Sequence, residues 1–442
     1  METLPKFKVA ICGAGVGGLT LAAFISRNPD VEVVIYEAKP QVSAIGEGIA
    51  IWKRSWQVLQ DMGLDEELAK RNFPPPKEGE VRGPIYRKSD QPEDGYDFHS
   101  HLMPYGPLNV PRPKLLDMLQ AKLGLNCKLL LSKHVADYSY DDSHSQVLIN
   151  FSDGTTDSAN ILVGADGVHS TIRKLLFTAL AHQDPPNAES YLNHIPPKWS
   201  GTYAYRCNVS ADALRARYPS HRSLSNPYIW CGQDNHVVSY PFGSMVHFIC
   251  YRSVPGGKGG GGVLDGPHVI DVPKEQVLES FKDWEPELRV MLELMNPNPS
   301  RWSIFVVDPI PLSVSGRIAL LGDSAHAMTP HQGVGGGQAI EDAHLLGRLL
   351  AHPKATKENL PNILKIYQGI RLPFAQKTAE RSRLNGLIYE FNHPDFPVNS
   401  KSSKEEMHTL GEAVGATFGW LAKGGCDEDW KNAEEQLNLL AT

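Results

Sequence analysis

The chain has 442 residues, 41% hydrophobic and 21% charged, with a formal net charge of -7 and six cysteines. This composition gives room for two or three globular domains with a substantial core. The acidic balance excludes a basic nucleic-acid-binding face, and the lack of any run of 18 apolar residues excludes a spanning helix.

Met1 leads almost directly into the apolar run Phe7 to Cys12, which is too short for a secretory signal, so the expected location is the cytoplasm. That run reads as a short strand. A helical pattern follows through Leu19, Leu21, Ala22, Phe24 and Ile25, and then a second strand, Val31 to Tyr36, that is apolar on both faces. Prolines 74, 75, 76, 84 and 92 mark residues 72 to 107 as an excursion out of this β-α-β unit. Helix periodicity returns over Lys114 to Leu123, and Asn160 to Gly164 reads as another buried strand. From Gly201 to Arg252 short β runs recur between turn residues (Gly201 to Cys207, Tyr228 to Gly232, His236 to Pro241, Met245 to Tyr251), as in an antiparallel sheet. Residues 256 to 262 read as an exposed glycine loop, Arg317 to Leu321 as a further parallel strand, and Gln338 to Leu350 as a helix. The segment Met407 to Leu421 reads as a packed helix or loop. The cysteines are scattered without a C-x-x-C pair, which points to buried free thiols and to no metal site.

Three loops carry the chemistry. Gly13, Gly15, Gly17 and Gly18 form a G-x-G-x-x-G turn between the first strand and helix, which brings a pyrophosphate against a helix N-terminus. Glu37 ends the second strand, where a carboxylate accepts hydrogen bonds from ribose hydroxyls. Two later segments, Gly164 to Arg173 and Gly322 to Pro330, each place an aspartate (Asp166, Asp323) just past a strand's C-terminal end, where α/β sheets bind ligands. The second continues into Gly333, Gly335, Gly336 and Gly337, whose backbone N–H groups suit a phosphate or flavin ring. Together they favour FAD over NAD as the bound dinucleotide.

This ordered set resembles the class A, single-component FAD-dependent aromatic hydroxylases, in their salicylate hydroxylase-like branch, over residues 7 to 385. The matching segments are the GxGxxG turn, GADGVHSTIRK and GDSAHAMTPHQG. The resemblance implies a Rossmann-like α/β FAD-binding domain built from discontinuous segments (1–78, 108–185, 300–355). It further implies an inserted antiparallel β-sheet substrate domain (79–107, 186–299) and a helical C-terminal region (356–442). It places Arg112, preceded here by Pro111, near the flavin ribityl and phosphates, ties Asp166 to both FAD and NAD(P)H, and lays Pro330 and the following glycines against the flavin ring. In the loop Gly46 to Ile51, Glu47 stands where a small residue is more usual. No second unit of strand, G-x-G-x-x-G turn and helix is read along the chain, which fits NADH or NADPH as a transient co-substrate.

The implied reaction is hydroxylation of an electron-rich phenol or phenolic acid by O₂ through a flavin C4a-hydroperoxide, with or without decarboxylation. The pocket must exclude water and favour an ionised phenol. Arg206 and Tyr240, in the inserted sheet, match positions that face substrate in related hydroxylases; His236 and His326 read as structural, and His331 follows Pro330 within reach of a substrate. Expected partners are a small aromatic molecule and O₂, without nucleic acid or membrane insertion, in a monomer or homodimer. An FAD oxidase or dehydrogenase that inserts no oxygen, or a non-enzymatic protein on the same FAD scaffold, remains open at this stage.

Overall fold

The computed structural model describes residues 5–42, 48–76, 78–141, 143–255, 264, 266–399 and 401–440. The expected glycine loop at 256–262, and Glu47 with its proposed flavin-edge role, lie outside these residues.

Five strands form a parallel sheet in the order Ile318–Leu320, Ile161–Gly164, Phe7–Cys12, Val31–Glu37, Cys127–Leu131, with the short antiparallel strand Val314–Ser315 at one edge. Both faces of this sheet are covered, which explains the poor polar alternation of its strands. Val9, Ile11, Val33 and Ile35 enter one core, Ala10, Cys12, Val34 and Tyr36 the other. The helix Val16–Ile25 is buried throughout and packs on Gly335–Ala351. At Gly347 a Cβ would stand 2.6 Å from that of Phe24, so glycine sets this close approach. Chain order in the sheet reverses between Phe7–Cys12 and Ile161–Gly164. Such a switch point opens a crevice at the strands' C-terminal ends.

The excursion and the inserted β runs together build one eight-stranded sheet. Its order is Val269–Asp271, Ser300–Val306, Lys198–Ser210, Met245–Ser253, Asn235–Phe242, Tyr228–Gly232, Glu78–Lys88, Tyr96–Tyr105. All pairings are antiparallel except Tyr228–Gly232 with Glu78–Lys88. Ser300–Val306 was expected with the nucleotide-binding segments. It pairs instead with Lys198–Ser210 of the large sheet. One face of that sheet buries Tyr205, Trp230, Val237 and Phe248 against Leu288, Met291 and Leu292 of the helix Pro286–Glu293. The opposite face, with Tyr86, Ile229 and Cys231, packs on the C-terminal helices.

A three-stranded sheet (Val135–Asp141, Gln146–Phe151, Thr156–Ala159) escaped the sequence reading. From Leu360 onwards the chain is helical: Leu360–Tyr389, Lys404–Phe418 and Cys426–Leu439. Met407, Leu410, Val414 and Phe418 repeat at helical spacing and bury one face of Lys404–Phe418, whose start is fixed by a Ser403–Glu406 capping box. All six cysteines are free, and all but Cys127 are buried. Among the described residues no helix is long and apolar enough to cross a membrane.

Candidate active site

The three glycine-and-aspartate loops meet at the switch point. Gly13 has φ +103°, donates its N–H to Tyr36 O at 2.8 Å, and would carry a Cβ 2.4 Å from Ala165 O. Gly18 passes closer still: a Cβ there would lie 2.0 Å from Gly13 O. At Gly17 it would meet Leu321 Cδ2 at 2.5 Å, so the first loop touches both others. Gly15, at the N-cap of Val16–Ile25, has nothing within 4 Å of its Cβ direction, which leaves that helix end open to a phosphate. Glu37 accepts from Ala14 N at 2.9 Å and Lys39 N at 3.0 Å, one on each oxygen, and keeps lone pairs free for ribose hydroxyls.

Asp166 closes its own turn. It accepts from Ser170 Oγ at 2.5 Å and Ile172 N at 3.1 Å, and burial raises its carboxyl above the ordinary range despite those bonds. Ser170 in turn caps the helix Thr171–Gln183. Arg173 is fully buried and donates to Val168 O at 2.6 Å, Ile195 O at 3.1 Å and Ser324 O at 2.9 Å. It ties the second loop to the third. Burial brings its guanidinium down to about 10, and Asp166 opposes that shift. Arg173 lies within the GADGVHSTIRK segment, but its position in sequence does not disclose this tie.

The third loop is held from both sides. Ser324 Oγ donates to Gly164 O at 2.6 Å, and Gly322 N donates to Asp342 Oδ2 at 3.0 Å. Asp342 also bonds His326 Nε2 at 2.6 Å and Arg371 Nε at 2.8 Å, and these partners hold its carboxyl down at about 2 against the cost of burial. His326 is therefore structural, as expected. Asp323 begins a short helix, with its side chain exposed at the crevice. Pro330 is exposed too, and Gly333, Gly335 and Gly336 open the helix Gly335–Ala351 against the strand Gly48–Ile51. That strand pairs with Leu108–Pro111, so Pro111 ends a strand and Arg112 starts the helix Arg112–Ala121 beside the same crevice rim.

The third loop also walls a cavity of about 300 Å³ on the large-sheet side. Ala325 to Thr329 and His331 line it, together with Thr202, Ser253, Leu387 and Glu390. At its mouth Lys198 pairs with Asp308, and Arg383 with Glu380 at 2.8 Å. Behind the wall lies His236, fully buried, stacked on Tyr251 at 4.4 Å between centroids and 5.2 Å from His331. Its Nδ1 lies 2.9 Å from Glu390 Oε1. Neither His236 Nε2 nor His331 Nδ1 has a hydrogen-bond partner among the described residues. Burial lowers both imidazoles to about 3 and pushes Glu390 up to about 7. Gly386 lets the His331 ring in, for a Cβ there would stand 2.4 Å from His331 Cδ2.

Arg206 and Tyr240, read from sequence as facing substrate, are not among the residues that line this cavity. The Arg206 guanidinium sits 4.4 Å over the Trp302 ring, and Tyr240 stacks on His247 at 5.9 Å. Strand alternation puts His236 and Tyr240 on one face, but four residues carry Tyr240 past the cavity to the hairpin end, opposite His247. His236, read from sequence as structural, stands behind the wall instead. Glu390 gave no sequence signal, because only tertiary packing brings it to His236.

A family profile described as FAD binding domain matches residues 6–194 and 313–382. The chain is 29% identical to a salicylate hydroxylase of Pseudomonas putida over 97% of this chain and 95% of that protein. It is 31% identical to 6-methylsalicylate 1-monooxygenase atA of Aspergillus terreus over 88% of this chain and 84% of that one. Among solved structures, a salicylate hydroxylase substrate complex superposes with a TM-score of 0.82 at 26% identity, covering 97% of this chain and 98% of that one.

Proposed function

Because the chain belongs to the FAD-binding-domain family, in the salicylate hydroxylase-like branch of the FAD-dependent aromatic hydroxylases, we propose that it hydroxylates a phenolic acid of the salicylate type with NAD(P)H and O₂ in this cavity. One observation carries the reading. The loop from Gly322 to His331 borders the dinucleotide crevice at one end and forms the cavity wall at the other, so a flavin and an aromatic ring would share one boundary.

The residues fit FAD. Gly13, Gly17 and Gly18 shape the turn, Gly15 leaves the helix end open to the pyrophosphate, and Glu37 receives the adenosine ribose. In this reading Asp323 holds a ribityl hydroxyl, Arg112 faces the phosphates, and Asp166 stiffens the second loop under the cofactor. Pro330, Gly333, Gly335 and Gly336 border the ring. When bound, FAD supplies electron transfer from NAD(P)H and oxygen transfer to the ring. The protein's share is to seat the phenol in the cavity beside His331 and keep water out.

The test is direct. Purified protein should be yellow, and salicylate and related hydroxybenzoates should stimulate NADH or NADPH oxidation, with one atom of isotopically labelled O₂ entering the product. Product without label would return the oxidase alternative. Asp323→Ala should lose a hydrogen bond to a charged group, about 1.5–3 kcal/mol, and so bind FAD on the order of ten- to a hundredfold more weakly. Flavin titration monitored by fluorescence checks this, and wild-type affinity in the variant would remove Asp323 from the ribityl contact.

A further inference from the structure

The cavity is longer than one aromatic ring needs. One face of the helix Leu360–Tyr389 lines it at Gln376, Ala379, Arg383 and Leu387, so the lining spans eleven positions. That is roughly 16 Å, or about three turns, at 1.5 Å per residue. Gly386 and Glu390 are buried at the inner end beside His331, whereas Glu380 and Arg383 are exposed at the mouth. Asp323, Gly333 and Gly335, which border the flavin in the reading above, are not among the lining residues, so this volume is not the cofactor's. An apolar cavity of about 150 Å³ is enough to hold benzene, and this one has about 300 Å³.

The outer turns offer apolar surface and polar groups that are already matched. Gln376 Nε2 donates to Ile310 O at 2.8 Å, which brings Val306, Val307 and Pro309 beside that end of the helix. Val307 N donates to Ala327 O at 2.9 Å and joins this segment to the third loop. Thr202 Oγ1 and Ser253 Oγ bond each other at 2.8 Å, and Trp199 Nε1 donates to Thr202 O at 3.2 Å. At the mouth Lys198 is paired with Asp308 and Arg383 with Glu380. What is left for a ligand there is hydrocarbon, and Ala379 is small and only half-buried, so a longer side chain at that position would take up the room.

We propose that the substrate is a phenolic acid carrying an apolar side group about as bulky as a second ring, with Ala379 as the residue that sets the space for it. The ring occupies the inner turn beside His331, and the side group lies along the helix towards the mouth. This rests on the cavity being the phenol seat, and it deepens that reading by naming the substrate class.

The test compares kcat/KM of FAD-loaded wild-type protein for salicylate and for the four salicylates that carry one butyl group at an open ring position, with hydroxylated product as the readout. At least one butyl isomer should exceed salicylate about tenfold or more, because a single methylene in an apolar pocket discriminates by about that factor. Ala379→Leu should lower kcat/KM for that isomer about tenfold more than for salicylate. If no butyl isomer gains tenfold over salicylate, the inference is overturned; a preference that survives Ala379→Leu unchanged also overturns it. If the variant does not fold, the wild-type series decides alone. No product from salicylate or from any derivative overturns the phenolic-acid reading instead, a separate result.

Discussion

Gly18→Ala is expected to give a protein that retains no flavin through purification and unfolds at lower denaturant than wild type. The added Cβ would sit 2.0 Å from Gly13 O and 3.4 Å from Ala165 Cβ. The first of these is backbone, and it cannot yield. Gly13 is pinned by its own bond to Tyr36 O and by the Ala165 carbonyl on its other side. Relief requires moving the helix Val16–Ile25, which is packed on Gly335–Ala351. Overpacking of this kind costs about 1–3 kcal/mol, and the shift displaces the helix end from the pyrophosphate position. Gly15→Ala makes the control. Its Cβ meets no protein atom within 4 Å, so the apo protein should unfold as wild type does while its FAD affinity falls. Comparing denaturant midpoints and flavin titrations separates the two variants. A Gly18→Ala protein that binds FAD normally would break the packing argument.

Arg371→Met should cost about 3–5 kcal/mol of stability, the range for removing one partner from a buried ion pair. Arg371 is 1% exposed and donates to Asp342 Oδ1 at 2.8 Å, Glu341 Oε2 at 3.1 Å and Gln338 Oε1 at 2.7 Å. Methionine fills much of the volume but strands two carboxylates, leaving Glu341 to Arg54 and Asp342 to His326. The sign with pH follows from Asp342. Its folded carboxyl lies at about 2, below the ordinary value near 3.9, so its pairing stabilises the fold above about pH 4 and is lost as pH falls towards 2. The variant should therefore be weakened most at neutral pH and differ less from wild type in acid. Asp342 also anchors Gly322 N, so flavin affinity should fall with stability. A neutral-pH loss below about 1 kcal/mol, the range of an exposed pair, would mean that the cluster is solvated.

The sequence was most readable where structure is local. The opening strand, turn, helix and Glu37 are contiguous, and each residue's task follows from its neighbours. The strands of the large sheet were legible one by one, but the parallel joining of Tyr228 to Ile85 depends on contacts some 140 residues apart, which no periodicity encodes. The cavity suffered for the same reason. Alternation assigns His236, Val238 and Tyr240 to one face, yet only the register against Met245–Ser253 and the arrival of Leu360–Tyr389 decide which row stands beside the enclosed space. Glu390 and His331 come from opposite ends of that arrangement and meet only through tertiary packing.

The helix Leu360–Tyr389 runs as a strut from the Asp342 cluster, at Arg371, to the cavity wall, at Glu390. Those residues are nineteen positions apart, roughly 28 Å at 1.5 Å per residue, and each residue advances the helix by about 100°. Angular phase is therefore a constraint that ordinary point substitutions along the strut leave alone. One residue inserted at an exposed midpoint such as Lys377 would swing the C-terminal carboxylate about a quarter-turn off the imidazole, even with every original side chain retained.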